Sequence, residues 1–84
     1  MRTDKDIAVI GSNMVDLISY IRRMPREGET LEALDFRMDC GGKGANQAIA
    51  AARLGSRVLM LTRVGNDVFA ANTVDNFARN GIDT

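Results

Sequence analysis

The stretch Cys40-Gly41-Gly42-Lys43-Gly44-Ala45-Asn46-Gln47 sets three glycines around a lysine, just ahead of an asparagine. A helix-forming run, Ala48-Ile49-Ala50-Ala51-Ala52-Arg53-Leu54-Gly55, follows at once. Glycine permits positive φ and lets the main chain come close to a ligand. A helix starting there leaves unpaired N–H groups at its positive end. Such a turn suits a small polyol or an anion. It equally suits a sharp strand-to-helix turn with no ligand, which is what glycine-rich dipeptides commonly mark. The single cysteine cannot form an internal disulfide, and without histidine there is neither a base to activate Cys40 nor a zinc ligand set. Cys40 is therefore expected to be a small core residue, and no metal site is expected.

The elements that position this stretch follow from hydrophobic patterning. Ile7-Ala8-Val9-Ile10 is a short apolar run ended by Gly11-Ser12, the pattern of a strand buried on both faces in a parallel sheet. Its carboxyl end is where ligands collect in open α/β sheets. Val15 to Ile21 predicts a second strand, Met24 to Glu29 a turn with Pro25 and Gly28, and Thr30 to Cys40 an extended segment. Leu34, Phe36, Met38 and Cys40 share one face of that segment, with Asp35, Arg37 and Asp39 on the other. Leu31 and Ala33 are out of phase, so a bend is expected near Ala33-Leu34. Together these segments form a hairpin excursion.

Ala45, Ala48, Ile49 and Ala52 repeat at helical spacing, and Gly55 suits the position after the helix end. Val58 to Leu61 predicts the next buried strand. Asn66 or Asp67 can cap a second helix that turns Ala70, Val74, Phe77 and Ala78 inward and ends near Asn80-Gly81. Ile82-Asp83-Thr84 points toward a further strand. The order strand, hairpin, helix, strand, helix is an α/β pattern around a parallel sheet. Two sheet strands do not make a doubly wound domain, so the chain is expected to be the amino-terminal part of a longer protein. The alternative is a small domain completed by self-association.

Composition narrows the function classes. Eleven basic residues balance eleven acidic ones among 84, which argues against a nucleic-acid arm or a polybasic membrane surface. The first apolar run is too short for a signal peptide or a spanning helix. A cytoplasmic setting is expected, with neither nucleic acid nor membrane as partner.

These residues resemble the start of the ribokinase-like (PfkB) carbohydrate kinases. The family's amino-terminal signature is met by Gly41-Gly42, Lys43, Gly44, Ala45, Asn46, Gln47 and Ala48, then by Gly55 and Gly65 downstream. Gly11-Ser12 with Asp16, and Gly28-Glu29-Thr30, also resemble the family, and the Gly42-Lys43-Gly44-Ala45-Asn46 form is closest to its ribokinase branch. The segment is not a Walker P-loop, since no serine or threonine follows the Gly-Lys. The resemblance covers nearly the whole chain. It implies that residues 1–84 are the amino-terminal part of a sugar kinase domain, a Rossmann-like parallel sheet with helices and a β-hairpin lid inserted at about residues 15–40. It implies ATP-dependent phosphorylation of the primary hydroxyl of a small sugar, with ATP, Mg2+ and a monovalent cation such as K+ bound outside these residues. The catalytic base is expected beyond Thr84, so the 84 residues alone should be inactive. The lid is expected to contribute a homodimer contact.

Within that resemblance the substrate-binding residues are expected to be Met14, Asp16, Gly42, Lys43 and Asn46. Ionised Asp16 only accepts hydrogen bonds and so suits two neighbouring sugar hydroxyls; the alternative is a solvated or turn-capping aspartate. Asn46 can donate and accept, or could bond its own backbone at the helix start. Gly42 lets the main chain approach the sugar. Lys43 could bond a sugar oxygen or remain in solvent. Met14 departs from the ribokinase pattern Gly-Ser-any-Asn-any-Asp, which puts asparagine at position 14. Asn13 lies one place early, and a one-residue shift in an extended segment turns a side chain to the other face. A 2-hydroxyl left unpaired against a thioether costs about 1–3 kcal/mol, whereas a CH2 does not. The expected substrate is thus a 2-deoxy pentose, most naturally 2-deoxy-D-ribose. The alternatives are that Met14 only packs under the lid of a ribokinase or another sugar or nucleoside kinase of this family, that the chain is a non-catalytic sugar-binding fragment, or that it is a dinucleotide-binding Rossmann unit. The last needs its glycine turn directly after the first strand, and here the hairpin intervenes.

Overall fold

The computed structural model describes residues 4–84. The elements run β1 (Ile7–Ile10), β2 (Met14–Tyr20), β3 (Asp35–Gly41), α1 (Lys43–Arg53), β4 (Val58–Leu61) and α2 (Val68–Arg79). β1 and β4 pair in parallel, Ile7 opposite Val58 through Ile10 opposite Leu61. Residues 11–57, with the hairpin and α1, make the crossover between them. The end of the chain lies along the other edge of β4: the Met60 N–H donates to the Asp83 carbonyl (2.8 Å) and the Asp83 N–H to the Val58 carbonyl (3.1 Å). The strand foreshadowed by Ile82-Asp83 thus makes its first parallel bridge within the chain.

The core is built on the face of β4 that carries Val58 and Met60. Ala45 and Ala48 of α1, Phe77 of α2 and Ile82 close over them, with Ile49 and Ala52 packed against the cluster. This is the alanine stripe expected for α1. β1 differs from expectation. Val9 packs against the core, but Ile10 on the opposite face is 81 % exposed. Both helices contribute to the Val58/Met60 side, so among the described residues only one face of β1 is covered, and the strand buried on both edges is β4.

Both helix ends show why their residues were chosen. α1 stops at Leu54, and Gly55 follows with φ 99°, a conformation that suits glycine. At the start of α2 the Asp67 carboxylate accepts from the N–H groups of Phe69 and Ala70 at 3.0 and 2.9 Å. Its buried stripe is Thr73 and Phe77, with Ala70 half-buried; Val74 and Ala78, expected inward, are exposed. The helix packs beneath the lid as well as on the sheet, since it contacts both β2 and β3. That second contact rotates the buried stripe toward Thr73. No helix among the described residues is long and apolar enough to cross a membrane.

The lid is a two-stranded antiparallel ribbon in which Met14 opposes Gly41, Val15 Cys40, Asp16 Asp39, Leu17 Met38, Ile18 Arg37, Ser19 Phe36 and Tyr20 Asp35. Alternation then places Met14, Asp16, Ile18 and Tyr20 on one face with Asp35, Arg37, Asp39 and Gly41. Val15, Leu17, Phe36, Met38 and Cys40 share the other. The second strand begins at Asp35, later than the Thr30 expected, because the chain bends at Leu34. At the tip, Gly28 (φ 75°) sits third in a turn closed by the Glu29 N–H donating to the Arg26 carbonyl at 2.9 Å. Arg23 donates through both terminal nitrogens to the Glu29 carboxylate, at 2.6 and 2.8 Å.

Candidate functional site

Two glycine turns meet at the base of the lid. Gly11 ends β1 and Gly44 lies in the first turn of α1, and their main chains touch. A Cβ added to Gly44 would lie 2.8 Å from the Gly11 Cα. The Ala45 N–H donates to the Ser12 carbonyl at 3.0 Å. Gly42 caps α1 with φ 98°, and a Cβ there would fall 2.8 Å from the Asn13 Cα. Gly42 therefore needs to be glycine twice over, for its φ and for the room. The interlock fixes the turn after β1 against the turn before α1.

Asn13 and Met14 leave this junction in different directions. Asn13 is half-buried, and its side-chain amide donates to Thr62 Oγ1 (2.7 Å) and to the Arg63 carbonyl (2.8 Å), just past β4. Met14 stands opposite Gly41 at the root of the ribbon and is 60 % exposed. The adjacent asparagine thus does not take the place that Met14 occupies.

Asp16 shares a lid face with Met14. A Cβ built on Gly41 would come within 3.2 Å of Asp16 Oδ2, so the carboxylate lies over Gly41. In the sequence Gly41 is only part of the glycine turn. Its role in making room for Asp16 emerges from the strand register, which spacing alone did not supply.

Lys43 and Asn46 are exposed on the first turns of α1. Among the described residues neither side chain has a hydrogen-bond or ion-pair partner, and nor does that of Asp16. The backbone alternative for the Asn46 side chain is not taken: its N–H donates to the Gly42 carbonyl (2.8 Å), but its amide group is free. The N–H groups of Lys43 and Gly44 lie at the positive end of α1, where an intrahelical acceptor is lacking. The carboxylate of Asp16 lies over Gly41, and the turn that follows directly in the chain carries a cation, an amide and main-chain donors. That mixture suits a ligand whose groups both donate and accept, as hydroxyls do. The carboxylate disfavours a simple anion. Cys40 lies on the other face, half-buried, with Sγ 3.7 Å from the Asn72 carbonyl; it packs between the ribbon and α2, outside the core cluster in which a small core residue is expected.

The model of the pfkB family carbohydrate kinases matches residues 4–84. The chain belongs to this family. It is 68 % identical over 79 residues to a deoxyribokinase of Salmonella typhi, covering 94 % of this chain and 26 % of that protein. It is 44 % identical over 78 residues to a ribokinase of Mus musculus, covering 93 % and 24 %. Among solved structures, an Arabidopsis thaliana ribokinase complexed with ribose and ATP superposes with a TM-score of 0.85 at 31 % identity, over 98 % of this chain and 27 % of that one. The chain thus spans about a quarter of the length of the relatives it matches. Gly42 and Gly44 of the glycine signature lie in the interlocked junction, and the inserted hairpin is the ribbon that rises from it.

Proposed function

We propose that these residues form the sugar-binding part of a kinase that transfers phosphate from ATP to the primary 5-hydroxyl of a pentose, with 2-deoxy-D-ribose preferred over ribose. Asp16 and Asn46 hold sugar hydroxyls, Gly42 lets the main chain approach, and Lys43 donates from the rim. The observation that carries the sugar choice is the divergence of Asn13 and Met14. The amide is spent on Thr62 and Arg63, and a thioether stands beside Asp16 where a hydroxyl partner would otherwise be. The 68 % identity to a deoxyribokinase, against 44 % to a ribokinase, supports the same reading.

ATP and Mg2+ belong to this reading, with K+ as a further cation. The described residues include no group of three cysteine, aspartate or glutamate side chains placed to hold a metal ion, so no step through a metal is assigned to this region. The transfer chemistry falls to residues beyond those described, and the kinase works in the cytoplasm, where ATP is supplied. The outer lid face exposes Leu17, Phe36 and Met38, and a second copy of the chain covers it to form a homodimer.

The test is kcat/KM for both sugars in the full-length kinase, wild type and Met14→Asn. Wild type favours deoxyribose. The asparagine shifts the ratio toward ribose by roughly 5- to 150-fold, the span that corresponds to 1–3 kcal/mol. Preference for ribose in the wild type, or an unchanged ratio in the variant, overturns the substrate assignment.

A further inference from the structure

We propose that Asn13 and Thr62 act as a positioning pair that keeps Met14 turned toward the sugar, so that the segment after β4 takes part in sugar discrimination. The inference rests on the sugar-binding reading of Met14 and Asp16. Its basis is the way residue 13 is held. On one side the side-chain amide donates at 2.7 Å to Thr62 Oγ1 and at 2.8 Å to the Arg63 carbonyl. On the other, Gly42 approaches so closely that a Cβ there would be 2.8 Å from the Asn13 Cα. The adjacent Ser12 carbonyl is fixed by the Ala45 N–H at 3.0 Å.

A residue held from both sides fixes the direction in which the next side chain leaves. In an extended chain consecutive side chains point to opposite faces. With Asn13 tied toward β4, Met14 is committed to the open face opposite Gly41, two residues before Asp16. Releasing Asn13 has two effects. The turn carrying Met14 and Asp16 loses its anchor, and a free amide becomes available next to the sugar. The amide can donate and accept, which the thioether cannot match. Both effects weaken deoxyribose binding and favour a sugar bearing the extra hydroxyl. Thr62 does this work from a distance of 49 positions along the chain, and it has no place in the glycine signature.

The experiment compares Thr62→Val, Thr62→Ser and Asn13→Ala in the full-length kinase, with KM and kcat measured for 2-deoxy-D-ribose and ribose alongside thermal melts. Thr62→Val keeps the shape and removes the acceptor. It is expected to raise the deoxyribose KM about fivefold, the factor that corresponds to one hydrogen bond of about 1 kcal/mol, and to narrow discrimination against ribose. Thr62→Ser restores both. Asn13→Ala also loses the Arg63 bond and leaves no amide, so it is expected to raise the deoxyribose KM at least as much without the gain toward ribose, and adding Thr62→Val to it should change little. A purely structural bond predicts a lower melting temperature with KM and sugar preference unchanged in Thr62→Val, and that result overturns the proposal, whatever Asn13→Ala does to folding. Failure of the underlying reading looks different: there Met14→Asn itself leaves the sugar ratio unmoved.

Discussion

Asp16 leans diagonally across the lid ladder onto Gly41, so that its Oδ2 lies 3.2 Å from the place a Cβ on Gly41 would occupy. The carboxylate is thereby brought to the root of the ribbon, beside the start of α1. Gly41→Ala puts a methyl group against that oxygen. The carboxylate is exposed and can swing aside, so the fold should tolerate the change. Sugar binding should not: with the acceptor displaced, the full-length kinase is expected to show a sugar KM raised about tenfold, as befits a weakened charge-assisted hydrogen bond. Steady-state kinetics and a melt on the same sample separate the two effects.

Gly44→Ala is expected to act on folding. The added Cβ would lie 2.8 Å from the Gly11 Cα and 2.9 Å from the Ser12 nitrogen, both main-chain atoms that cannot rotate away. Alanine favours a helix over glycine by about 1 kcal/mol, which offsets only part of the overpacking. Urea denaturation should show a net loss of up to about 2 kcal/mol.

Asp39 stands directly opposite Asp16 on the same lid face, and the nearest cation on that face is engaged elsewhere. Arg37 lies 3.6 Å from Asp35 and stacks 5.8 Å from the centre of the Tyr20 ring. Like charges directly opposed in an antiparallel pair are destabilising. Asp39→Asn should therefore raise the melting temperature slightly at low ionic strength, and the gain should vanish in high salt.

The base of the sheet carries a pH-dependent link. Arg57 holds Asp6 with its side chain at 2.8 and 3.2 Å and with its N–H at 2.9 Å. These bonds lower the Asp6 pKa from 3.8 to about 2. A carboxylate with a depressed pKa in the folded state stabilises it above pH 3.8, and that contribution is lost as pH falls toward 2. Asp6→Asn should lower the melting temperature at neutral pH by a small, salt-sensitive amount. The gap from wild type should close between pH 4 and 2; a gap that persists at pH 2 contradicts the link.

Much of this architecture is legible in residue order. The alanine stripe, Gly55, Asp67 and the Phe36-Met38-Cys40 alternation each encode a local rule, and each is obeyed. What escaped were consequences of contacts between distant segments. Ile10 reads as a core residue, yet it faces away from both helices. Val74 has the right spacing for burial, but contact with the lid turns Thr73 inward instead. In the candidate site, Asp16 and the glycines could be singled out by type. The bonds of Asn13 to Thr62 and Arg63 could not, because they join residues some fifty positions apart.

The ribbon formed by β2 and β3 is also a lever with its fulcrum at the glycine junction. Each strand has seven residues, about 24 Å at 3.4 Å per residue, within a molecule 54 Å long and 18 Å thick. A tilt of about 10° at the base would carry the far end of the strands, at Tyr20 and Asp35, through roughly 4 Å, while Asp16, two residues from the base, would move only about 1 Å. Met14 and Asp16 sit at the slow end of the arm. The turn beyond Tyr20 and Asp35 would move further still, while the root of the ribbon would stay almost in place.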